Sequence, residues 1–241
     1  MADQIVDEIQ SALAELSNPE DALFLQKYFK TGPGQYGEGD LFRGIRVPEL
    51  RKLAKTYRRI TLEQAEQLLR SAYHEDRLLA LLLLVHKYSD ADETGKTRIY
   101  ESYLNHARFI NNWDLVDCSA RHIIGPYLRG RSRAPLYRLA GSPLLWERRM
   151  AVLATFDFIN TGEFDDALKI AGMLLKDSED LIHKAVGWML REVGKIDPRK
   201  EEEFLDDWYR HMPRTMLRYA IERFPEEKRL AYLKGTVPVN R

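Results

Sequence analysis

Trp113 and Asp117 stand four residues apart in Asn112-Trp113-Asp114-Leu115-Val116-Asp117. On a helix that spacing puts an indole and a carboxylate on one face, one above the other. A π surface beside an anion suits a cationic guest. Arg149 follows Asp117 by about 32 residues and Trp188 follows Arg149 by about 39, close to the length of a two-helix unit in HEAT-type arrays. Every second helix would then present one of these residues to a common cleft. Lys184, Trp188 and Arg191 repeat the theme at i, i+4, i+7, joining an aromatic to two cations on one helical face. Taken singly, Asp117 reads as a helix cap or an arginine partner, and each tryptophan as a core residue with a polar handle. The constellation is what points to a site.

The elements that must carry these residues are helical. Apolar positions recur at three and four in Leu144, Leu145, Met150, Val152, Leu153, Phe156 and again in Leu181, Ala185, Trp188, Met189, Val193. No segment shows the alternation of a strand. Helix starts are marked by Asn18 before Pro19, Val47 before Pro48, Ser142 before Pro143 and Asp197 before Pro198, with proline expected at the first helical position. Thr61 with Gln64 fits a capping box. The predicted helices span 3–16, 19–30, 48–58, 62–71, 75–88, 94–107, 113–128, 133–140, 143–160, 163–175, 179–195, 198–210, 213–223 and 226–233. Short links between so many helices favour antiparallel neighbours stacked into a solenoid with a concave binding face, a closed bundle being the alternative. The expected organisation is one all-α domain over residues 1–241. Its one irregular segment is the Gly-rich stretch 31–40, which reads as a loop, either a connector or a flap beside substrate. It lacks the Gly-Lys-Ser/Thr ending of a phosphate-binding P-loop.

With 241 residues, 44% of them hydrophobic, the chain can bury a sizeable core. The formal net charge of zero excludes a uniformly basic nucleic-acid binder. The distribution along the chain is uneven: residues 1–26 hold six acids and no Lys or Arg, whereas 121–149 holds seven arginines against Glu147 alone. Contact with phosphates is the preferred reading of that basic stretch, Arg148 and Arg149 included. Cys118 is the only cysteine, so no intramolecular disulfide is expected and a reducing cytoplasm is the natural setting. The six histidines show no metal-ligand spacing; each reads as a surface or a satisfied core residue, and no metal is assigned. The richest apolar run, Leu78 to Val85, is too short to span a bilayer, and the N-terminus does not read as a signal peptide.

Three segments together resemble the DNA alkylation repair family of HEAT-like alkylpurine DNA glycosylases, the AlkD-like proteins: Asn112 to Asp117, Trp146-Glu147-Arg148-Arg149-Met150-Ala151-Val152-Leu153, and His183-Lys184-Ala185-Val186-Gly187-Trp188-Met189-Leu190-Arg191-Glu192. The resemblance runs from about Tyr28 to about Arg223. It implies a right-handed superhelix of paired helices that wraps duplex DNA and excises N3- or N7-alkylated purines without a cofactor. It matches Asp117 to the catalytic carboxylate, Trp113 and Trp188 to the cleft tryptophans, Arg149 to a DNA-contacting arginine and Tyr28 to an N-terminal cleft tyrosine. Lys184, Arg148 and Arg191 are added as DNA contacts. Asn112 stands where some members carry an aromatic residue, and the 31–40 loop resembles one branch of the family. The implied partner is double-stranded DNA containing alkylated purines, met by a monomer in the bacterial cytoplasm, with no membrane involved. Two rival functions share these features: a non-catalytic binder of branched or bent DNA, and a protein-binding helical scaffold.

Overall fold

The computed structural model describes residues 2–237, with side chains from residue 4 onward. The expected domain limits at Met1 and Arg241, and the side chain of Asp3 among the N-terminal acids, lie outside what is described. Helices account for all regular structure among these residues, the sole β feature being an isolated parallel bridge between Leu41 and Tyr73. The chain divides into two compact units, Met1–Ser119 and Ala120–Arg241.

The first unit contains α1 (Ala2–Glu15), α2 (Pro19–Tyr28), α3 (Val47–Thr56), α4 (Leu62–Leu69), α5 (His74–Asp90), α6 (Glu93–Asn105), a 3₁₀ turn at Ala107–Phe109 and α7 (Trp113–Asp117). The second contains α8 (Ala120–Leu128), α9 (Ala134–Ala140), α10 (Leu145–Ile159), α11 (Asp165–Met173), α12 (Asp180–Ile196), α13 (Pro198–Trp208), α14 (Arg214–Ala220), a 3₁₀ turn at Ile221–Arg223 and α15 (Glu226–Lys234). No helix among the described residues is long and apolar enough to cross a membrane.

In the first unit α5 is the axis, packed by α3, α4, α6 and α7. The apolar run Leu78 to Val85 lies on it, and Leu79, Leu81, Leu83 and Leu84 are fully buried. A helix covered on several sides can be apolar all round, which explains a run too dense for a one-faced pattern. In the second unit α8, α10, α12 and α14 pack in series, each against the next but one in sequence, while α9, α11 and α13 pack onto them as a second row. That alternation is the signature of stacked helical pairs. The pairs are stitched by side chains about one repeat apart: Arg129 to Asp157, Arg133 to Glu163, Tyr137 to Asp166 and Arg148 to Asp177. Close approach within the α12–α14 pair is made possible by Gly187, where a Cβ would sit 2.4 Å from the Met216 carbonyl oxygen.

Side-chain capping marks several helix starts. Asn18 accepts from the amides of Glu20 and Asp21, Asp197 accepts from Arg199, and Thr61 with Gln64 forms the complete capping box. Two starts differ from expectation. Arg46 rather than Val47 precedes α3, and α10 begins at Leu145 because the Ser142 hydroxyl accepts from the Leu144 amide and holds an extra turn. The predicted helix over 113–128 is broken in two. Ser119, at the break, donates its hydroxyl to the Leu115 carbonyl and meets the Tyr103 hydroxyl at 2.8 Å, anchoring the backbone where α7 ends.

The arginine-rich stretch also departs from its linear appearance. Arg129 is ion-paired to Asp157 on α10, Arg133 to Glu163 just before α11 and Arg148 to Asp177 just before α12, and Arg121, Arg131 and Arg133 lie over the rings of Phe156, Tyr127 and Phe158. Of the seven arginines over 121–149, Arg129, Arg133 and Arg148 thus pair with acids of this chain, and Arg121 and Arg131 rest on aromatic rings.

Candidate active site

The segment that frames the site begins with Asn112, whose side-chain oxygen accepts from the Trp113 amide at 2.9 Å and whose carbonyl accepts from Val116. This cap starts the five-residue α7 and sets Trp113 and Asp117 one turn apart, with Leu115 and Val116 buried behind them. Both Trp113 and Asp117 are half-buried and line a cavity of about 490 Å³ within the first unit. Part of its wall is aromatic and comes from α2 and the loop after it, while α3 and α5 add Val47, Leu78 and Leu82. The Phe29 ring stacks on Trp113 with centroids 5.3 Å apart, and Tyr28 meets Trp113 edge-on at 6.1 Å. Phe24 and Phe42 continue the wall. Tyr28 is 55% exposed, so its ring stands at the mouth.

Charged side chains of both signs line the cavity: Asp114, Asp117 and Glu75 with Arg46, Arg51 and His74, Arg46 being held by Asp21 over the Phe24 ring. The Cys118 thiol, beside both aspartates, is pushed well above its ordinary value by desolvation and by their charge. It is a neutral thiol at physiological pH and no nucleophile. No group of three or more His, Cys, Asp and Glu side chains suited to a metal occurs among the described residues.

Adjoining the cavity, with His74 and Glu75 in its lining, is a polar cluster that no local sequence pattern marked as a site. His74, the first residue of α5, is almost fully buried, with Nδ1 2.9 Å from Asp40 Oδ2 and Nε2 2.8 Å from Asp114 Oδ2. Burial opposes a charge on the ring, but Asp114 and Asp40 outweigh it and raise the imidazole to about 9. The Asp40 carboxylate, against the cost of its own burial, is held below its ordinary range by His74 and by Arg77, which also binds it. Next to this trio, Glu75 accepts from the backbone amides of Arg43, Gly44 and Ile45, and Asp76 takes the Arg43 guanidinium. Four consecutive charged side chains, His74-Glu75-Asp76-Arg77, are thus buried at the head of a core helix. The legible signal was there: a charged quartet abutting an apolar run marks either a solvated cap or an internal network, and the sequence does not distinguish them. The Gly-rich loop ends in this network. Gly37 packs so closely that a Cβ there would lie 2.5 Å from the Phe29 carbonyl oxygen, which fixes the loop against the aromatic wall.

The second unit holds the remaining expected site residues, and there the cations are engaged. Trp188 on α12 is half-buried, donates from its indole to Glu192 at 2.9 Å and meets Phe156 edge-on. Arg149 is 5% exposed and directs its guanidinium to the Leu181 carbonyl. Arg148 forks onto the buried Asp177, Lys184 pairs with Asp180, and Arg191 pairs with Glu222. Arg149, expected on a phosphate, is turned inward in this arrangement because a backbone acceptor of α12 lies within its reach. Of the eight expected site residues, Tyr28, Trp113 and Asp117 share one cavity, and Lys184, Trp188 and Arg191 share a helix.

An all-helical chain of stacked pairs, with a cavity that joins carboxylates to aromatic rings, defines a class that comparison makes specific. The sequence profile of the DNA alkylation repair enzyme family matches residues 9–224. The chain belongs to that family. Among solved structures it is similar to a "Predicted DNA alkylation repair enzyme from Enterococcus faecalis", with a TM-score of 0.67, 20% sequence identity and coverage of 87% of this chain and 97% of that one. At that identity the likeness speaks for the fold. No curated protein matches the chain.

Proposed function

We propose that this member of the family is a DNA glycosylase that hydrolyses the N-glycosidic bond of cationic purines, N3-methyladenine and N7-methylguanine, in duplex DNA. The observation that carries the reading is the pairing of Asp117 with Trp113 across one turn of α7, in a cavity walled by aromatic rings and provided with a second carboxylate, Asp114. The chemistry suits such a site. An N3- or N7-alkylated purine already bears a positive charge, so it departs without a general acid, and the barrier lies in the oxocarbenium ion that develops on the sugar. A fixed carboxylate stabilises that ion. At ~4 Å and an effective dielectric of ~20 the attraction is on the order of 4 kcal/mol, a rate factor of several hundred. Asp117 would face C1′ and orient the attacking water, while the Trp113 and Tyr28 rings hold the cationic nucleotide, each contact contributing ~1 to 2 kcal/mol when desolvated.

In this reading Trp188 is the second cleft tryptophan, and Lys184, Arg148, Arg149 and Arg191 are the family's DNA-side cations. The protein acts as a monomer on cytoplasmic DNA, with no metal or cofactor. The test is base release from methylated duplex DNA. Asp117→Asn keeps duplex affinity and lowers N7-methylguanine release by roughly two to three powers of ten. Equal release by variant and wild type removes Asp117 from the mechanism.

A further inference from the structure

His74 joins the loop 31–40, the core helix α5 and the site helix α7. Each ring nitrogen of His74 sits within hydrogen-bond distance of a carboxylate oxygen, Asp40 on one side and Asp114 on the other. An ionised carboxylate only accepts, and a neutral imidazole has one N–H, so satisfying both contacts requires the doubly protonated ring. Two aromatic rings pack against the imidazole, Phe42 at 4.5 Å and Phe29 at 4.9 Å between centroids, and these two rings also stack on each other at 5.1 Å. Phe29 is the same ring that stacks on Trp113. Asp114, in turn, is bracketed in sequence by Trp113 and lies three residues before Asp117 on α7.

Resting on the glycosylase reading above, we propose that the Asp40–His74–Asp114 bridge is the positioning device of the cavity, holding the first turn of α7 so that Trp113 and Asp117 keep one fixed orientation. His74 touches no substrate in this scheme; it acts through Asp114 and Phe29. The loop 31–40 thereby acquires a role beyond connection, because it delivers Asp40 to the bridge. The other charged and titratable groups around the ring are otherwise engaged or set apart. On α5, Glu75 is held by three backbone amides, Asp76 by Arg43, and Arg77 lies on Asp40. On the facing elements stand Asp117 and Cys118 at α7, Tyr28 on α2, Arg46 before α3 and Arg51 on it, all lining the cavity. Loss of one proton from His74 would set a ring lone pair against one of the two carboxylates, and the bridge would open on that side.

The experiment reads Trp113 directly, by fluorine NMR of the chain labelled with 5-fluorotryptophan, the resonance being assigned with Trp113→Phe. In the wild type the Trp113 signal is expected to move with pH with a midpoint near the His74 value of about 9. In His74→Gln, which retains one amide donor but carries no charge, the signal is displaced at neutral pH and no longer titrates. Asp114→Asn removes one carboxylate and shifts the wild-type midpoint downward. Base release by His74→Gln falls roughly 10- to 100-fold, the scale of a small misplacement of a reacting group. A Trp113 resonance that is constant up to pH 10 in wild type and unchanged in His74→Gln overturns the positioning role. The wild-type titration needs no variant to fold. A responding Trp113 signal with no base released by wild type keeps the bridge and refutes the glycosylase reading, whereas release with a silent Trp113 does the reverse.

Discussion

At the residue scale the dominant feature is a buried cation between two anions. The sign of its pH dependence follows from the raised value of His74: the bridge contributes fully below the ordinary histidine range near 6.5 and is lost as pH rises through about 9. A rise of that size corresponds to about 3 kcal/mol. Glu201, lifted to about 8 by burial, also binds its proton more tightly in the folded chain and sheds stability over an overlapping interval. The His74 contribution is therefore read as a difference. In urea unfolding, the stability advantage of wild type over His74→Gln is expected to shrink by about 3 kcal/mol between about pH 6 and about pH 10; an advantage independent of pH would mean that the ring is neutral throughout. Arg148 offers a second case, since the acid it binds, Asp177, is 4% exposed while Arg148 is 13% exposed. Removing one partner of a buried pair leaves a stranded charge, so Arg148→Ala costs on the order of 3 kcal/mol in the same assay. A cost below about 0.5 kcal/mol would show that the pair contributes no more than an exposed one.

At the scale of elements the fold was largely legible and the network was not. Asn18, Thr61 with Gln64, and Asp197 announce helix starts because each of these caps is local, made by a side chain and amides two or three residues away. Trp113 and Asp117 were legible for the same reason, their relation being one turn of helix. The break at Cys118–Ser119 was hidden because its cause, the Tyr103 hydroxyl, lies 16 residues away. The Asp40–His74–Asp114 bridge joins residues 34 and 40 positions apart, a relation no local pattern encodes. The partners of the arginines over 121–149 were hidden for the same reason: the acids that pair with Arg129, Arg133 and Arg148 lie 28, 30 and 29 positions further along. Packing at this scale gives a further expectation. Since a Cβ on Gly187 would meet the Met216 carbonyl at 2.4 Å and the Tyr219 Cβ at 2.6 Å, Gly187→Ala must part α12 from α14. It lowers unfolding stability by about 1 to 3 kcal/mol despite the better helix propensity of alanine. An unchanged or raised thermal midpoint would show that the contact relaxes without cost.

At the scale of the whole molecule, a chain with zero formal net charge relies on placement rather than on bulk attraction to recognise an anionic polymer. Its family membership gives DNA alkylation repair as the setting. The cavity of the first unit brings carboxylates and aromatic rings together, and the proposed preference for a cationic base rests on that combination. The account stands on Asp117, and the most direct measurement is mass spectrometry of the bases freed from methylated duplex DNA by wild type and by Asp117→Asn at matched duplex affinity. N3-methyladenine and N7-methylguanine freed by the wild type, with roughly a hundredfold or greater loss in the variant, is the predicted result. Undiminished release by Asp117→Asn, or none by the wild type, contradicts it.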